Sequence, residues 1–82
     1  MQVQTFQPPS DQDLQYQAKE FYRRWHKKEY QQMLQDGTLQ ETLRLTAKNC
    51  RSDAEARIRQ GVWPPEAWNA AIREVILQTP AD

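Results

Sequence analysis

The chain has 82 residues, no formal net charge, and only 14 Leu, Ile, Val and Phe residues. That length bounds it to one domain, which buries roughly 60–65% of the surface its unfolded form exposes. The aliphatic content falls under the level of about 20% that warns of disorder, but zero charge and three Trp with three Tyr oppose that warning. A folded domain with a small core and a polar surface is therefore expected, and self-association is a natural way to add buried area. Charge balance argues against a general nucleic-acid binder, which usually carries a strongly basic face. The single cysteine, Cys50, has no internal disulfide partner, which fits a reducing compartment. No apolar run approaches the roughly 20 residues that span a bilayer. The N-terminus has neither a basic nor an apolar signal region, so a cytoplasmic protein without membrane contact is expected.

Met1 to Pro9 reads as an extended or flexible tail, because Pro8-Pro9 stops any regular element. Docking of Phe6 on the helices is the alternative. Ser10 or Asp11 is a candidate cap for a first helix, with Asp13 in its first turn. Leu14, Ala18, Phe21, Tyr22, Trp25 and Met33 then recur at three- and four-residue steps, the spacing of one helical face. Gly37 supplies a left-handed C-terminal position, so helix one is expected over about 12–35.

Thr38-Leu39-Gln40-Glu41 has the form of a capping box, and the second helix follows at once, over about 39–60. Its apolar stripe is Leu39, Leu43, Ala47, Cys50, Ala54 and Ile58. Ser52-Asp53-Ala54-Glu55 is a second capping box within it, but the unbroken stripe favours one helix. Helix three is expected over about 65–78, opened by Pro64-Pro65, with Trp63 and Trp68 placed as a hydrophobic staple. Fraying is expected at Thr79-Pro80. The fold class is thus all-α: a small three-helix domain over 10–79. A long antiparallel hairpin carries a shorter C-terminal helix packed across it. Trp25, Phe21, Trp68, Leu43, Ile58, Ile72 and Val75 are the expected core.

The functional residues are fewer. Cys50 falls on the apolar stripe, where a free cysteine acts as a small core residue, and no base with an orienting third group is evident for nucleophilic catalysis. One His and one Cys fall short of the three or four ligands of a zinc site. Carboxylates stand three or four residues from bases, as in Glu20–Arg24 and Glu55–Arg59, the spacing of solvated helix pairs. Neither an enzyme nor a cofactor is expected.

The back of helix one carries the stronger signal. Tyr16, Arg23, Lys27, Tyr30 and Leu34 fall opposite Trp25 on a helical wheel, together with Lys19 and Glu20. Tyr and Arg are enriched at protein interfaces, so this face is the candidate for a protein partner or for self-association as a homodimer. The bland account is that Lys and Arg solubilise long helices while the tyrosines pack on their stems. A nucleic-acid face is the alternative, formed by the basic faces of helices one and two side by side, with Arg44, Lys48, Arg51 and Arg59 on helix two, and phosphate contact there would be strongly salt-dependent. The segment Gly61-Val62-x-Pro-Pro-Glu-Ala-Trp-Asn-Ala-Ala-Ile-Arg also resembles the turn and second helix of a helix-turn-helix. That resemblance implies base reading by Asn69 and Arg73. Arg57 stands where such motifs want a small residue, which departs from the pattern.

Overall fold

The computed structural model describes residues 6–77, and within them the chain is all-α, with helices packed on one another and no strand. Four α-helices follow in order: α1 (Asp11–Trp25), α2 (Lys27–Asp36), α3 (Leu39–Arg59) and α4 (Pro64–Ala71). A short π-helical segment, Ile72–Ile76, continues α4. The first five residues of the expected N-terminal tail and the fraying at Thr79-Pro80 lie outside the described residues.

The caps explain most of these boundaries. Ser10 Oγ accepts from the Asp13 amide at 3.1 Å, and Asp13 Oδ2 accepts from the Ser10 amide at 3.2 Å, a complete capping box. Gly37 ends α2 at φ +73° and Gly61 follows α3 at φ +100°, a region that costs L-residues energy. Pro64 and Pro65 open α4, where a missing amide proton costs nothing. α3 runs unbroken through Ser52, so the second capping box does not interrupt it.

Several expectations need correction. Helix one is not continuous over 12–35: His26, at φ −132° and ψ 58°, separates α1 from α2. The ladder is kept on both sides, since His26 N–H donates to Tyr22 O at 2.8 Å and Tyr30 N–H donates to His26 O at 2.9 Å. Thr38 makes no side-chain capping bond, because its backbone is already helical (φ −100°, ψ −2°) rather than extended. Trp63 is itself the cap of α4, one position later than a staple requires, and it is 65% exposed while Trp68 is buried.

The core joins Leu14 and Ala18 of α1 to Leu43, Ala47, Cys50 and Ala54 of α3, and to Trp68, Ala71 and Ile76. Phe21, Tyr22, Leu39, Ile58, Ile72 and Val75 pack around it. Ala71 and Ile76 are both buried and stand five residues apart, the repeat of the π turn, whose Leu77 amide donates to Ile72 O. Asp11 pairs with Arg51 and Gln40 donates to Gln15, two polar ties between α1 and α3. By contrast α2 has no fully buried residue.

Trp25 is the clearest departure: it is 58% exposed, not core. The buried row of α1 is Leu14, Ala18, half-buried Tyr22 and His26, each four residues on from the last. Such a row does not run parallel to the axis but crosses it obliquely, and it is the ridge that packs when helices cross at an angle. Phe21 and Trp25 belong to the next row, Gln17–Phe21–Trp25, which leaves the core as it climbs. His26 takes the inward seat, its ring 5.4 Å from Phe21 and 5.9 Å from Tyr22.

Candidate protein-binding face

The outer side of α1 is ordered by its own spacing. Glu20 accepts from Arg23 at 2.9 and 3.0 Å, a two-bond fork at i,i+3, and Tyr16 Oη donates to the same carboxylate at 3.4 Å. Tyr30 reaches this group from α2, so Tyr16, Arg23 and Tyr30 share one shallow cleft of about 210 Å³ with Lys19 and Glu20. Tyr16 is 63% exposed and Tyr30 half-buried. The break at His26 therefore leaves the two tyrosines on a common surface. Lys27 and Leu34 are exposed on α2 but do not line that cleft, so of the five residues expected together three share the cleft and two lie outside it.

The residues of the nucleic-acid alternative are more scattered. Arg44 is bound to Glu41 at 2.6 Å, which holds the Glu41 carboxyl below its ordinary value and raises Arg44. Arg51 is paired with Asp11 at 2.5 Å, and Lys48 is exposed between them. Two of the three α3 bases thus have their charge answered within the chain. Asn69 and Arg73 are both exposed and line one open cleft of about 900 Å³.

Cys50 is wholly buried, and burial, helped by the charge of Asp53, pushes its thiol up to about 11. A thiol so placed is a poor nucleophile at neutral pH. Among the described residues no group of three or more His, Cys, Asp and Glu is placed to hold a metal ion. No described helix is long and apolar enough to cross a membrane.

Sequence reasoning missed an aromatic groove beside this face. Phe21 and Trp25 line a cleft of about 390 Å³ with Tyr16 and Leu77. The i,i+4 spacing of Gln17, Phe21 and Trp25 was its available signal, masked by reading the apolar positions as a stripe along the axis. No family model matches the chain, and neither a curated protein nor a solved structure matches it significantly.

Proposed function

We propose that the chain is a non-enzymatic interaction module that binds a protein partner, or a second copy of itself, through the outer face of α1 and the start of α2. The supporting observation is the convergence of Tyr16, Arg23 and Tyr30 on one cleft from either side of the His26 break. Tyr and Arg carry a large share of the energy in protein interfaces. Here the Glu20 carboxylate holds Tyr16 and Arg23 before any partner arrives, so less side-chain freedom is lost on binding. Lys27 and Leu34 extend the face along α2.

Nucleic-acid binding is the weaker reading. It has in its favour that Asn69 and Arg73 share a cleft, and against it that Glu41 and Asp11 already answer Arg44 and Arg51. A mobility shift that fades between low and physiological salt would favour it over the protein-binding reading.

Light scattering over a concentration series, beside affinity capture with the wild-type chain and with Tyr30→Ala, tests the proposal. A dimer, or a discrete bound protein, that Tyr30→Ala removes supports it. A monomer whose captured proteins are unchanged by Tyr30→Ala counts against it.

A further inference from the structure

The aromatic groove on the other side of Tyr16 adjoins the Tyr16–Arg23–Tyr30 cleft, sharing Tyr16 and Glu20 with it, but its other lining residues differ. Its floor is the Gln17–Phe21–Trp25 row of α1, its near wall is Tyr16 and Arg24, and its far wall is Leu77 after the π turn. Trp25 is 58% and Leu77 46% exposed, an unusual investment of apolar surface in a chain with so few large aliphatic residues. Gln17 and Leu77 also line the larger cleft that holds Arg73, so the two depressions adjoin across these residues.

The shape and the charge specify an occupant. The grooves beside an i±4 row such as Gln17–Phe21–Trp25 have the width that receives a ridge of side chains from another helix. Arg24 lines the groove and Arg73 the adjoining cleft, and neither has an ion-pair partner among the described residues, whereas Arg23, Arg44, Arg51 and Arg57 all do. The Glu20 carboxylate, also in the groove, is committed to Arg23. Arg73 stands one turn before Leu77, at the junction of the clefts, while Glu66 lies two turns further back, roughly 10 Å from Arg73 along the helix.

We infer that this groove docks an amphipathic helix of a partner protein, with apolar anchors on Phe21, Trp25 and Leu77 and carboxylates at its flanks facing Arg24 and Arg73. The helix-in-groove mode needs anchors at i, i+3, i+4 and i+7 on the incoming segment. Opposite charge at the rim selects the partner and speeds its arrival.

Two synthetic peptides of about four helical turns test this on the full chain. Both carry leucines at those positions, one with glutamates and the other with lysines at its flanks. Fluorescence anisotropy should show the glutamate peptide binding about tenfold more tightly or better. The preference should reverse in the double variant R24E with R73E. Trp25→Ala should weaken both peptides, and Tyr30→Ala, on the other face, should leave them unchanged. Circular dichroism of each variant checks that the helices persist. Equal binding of the two peptides, a preference for lysine, or no binding would overturn the inference. So would a second copy of the chain occupying the groove, seen as self-association that shields Trp25 from quenching.

Discussion

Arg57 Nη2 lies 2.6 Å from Glu74 Oε2, joining α3 to the π-helical segment across 17 residues of sequence. The same guanidinium donates Nε to Asp53 at 2.8 Å, one turn earlier on α3, and these carboxylates raise its pKa. One arginine thus fixes the C-terminal segment to the longest helix beside the core. Glu74→Gln should lower stability only slightly, since the pair is partly exposed and screened by solvent. A double-mutant cycle with Arg57→Gln, read by urea unfolding, should return most of that as coupling. Additive single effects would mean that the contact contributes nothing.

The tryptophans should separate sharply. Trp68 is 6% exposed and belongs to the core cluster, so Trp68→Ala should cost about 3–5 kcal/mol. Trp25→Ala, on the exposed row of α1, should fall within about 0.5 kcal/mol of wild type. Denaturant midpoints of the two variants check this. A large loss at Trp25 would restore the axial stripe as the packing face of α1.

The turn between α2 and α3 rests on Gly37. Nothing lies within 4 Å of where a Cβ would stand, so Gly37→Ala meets only backbone strain at φ +73°. The expected loss is about 1–2 kcal/mol with an unchanged denaturant slope. Gly37→Asn should recover part of it, because Asn visits this region more readily.

Much of the fold was legible in the sequence for definite reasons. Ser10 with Asp13, Gly37, Gly61 and Pro64-Pro65 act locally, so they mark boundaries without knowledge of the neighbours. The α3 stripe from Leu43 to Ala54 was equally plain, because it runs close to the axis. The break at His26 was not, since His has no strong local preference against the helix, and the aromatic cluster that seats it is tertiary. The π turn was hidden because Ile-Arg-Glu-Val-Ile carries an α-like pattern, and the wider winding accompanies the burial of Ile76 against the tertiary core. Of the candidate site, Tyr16, Arg23 and Tyr30 were placed on one face and do converge. The exposed Trp25 was lost to the assumption that the packed row follows the helix axis. The ion pairs of Arg44 and Arg57 with Glu41 and Asp53 stand at i,i+3 and i,i+4, so their signal was present in the spacing.

Alkaline pH should reveal the burial of Cys50. In the unfolded chain the thiol titrates near 9.0, whereas in the fold burial raises it to about 11. Between these values the unfolded chain has released a proton that the folded chain retains, so stability falls as pH rises through this window. Below pH 9 the thiol has no effect. Cys50→Ala should flatten that part of the stability profile relative to wild type. In the native protein, Ellman's reagent at pH 8 should react only as fast as the core opens, and at once in denaturant.

On the proposed function, the Tyr16–Arg23–Tyr30 cleft is a contact surface for a protein. Site-specific photocrosslinking tests it most directly, with benzoylphenylalanine placed at Tyr16 or Tyr30, and at exposed Gln32 and Asn49 as controls. A discrete adduct, with another protein or with a second copy, is expected at positions 16 and 30 and not at the controls. The same adduct at all four positions, or none at 16 and 30, would contradict it.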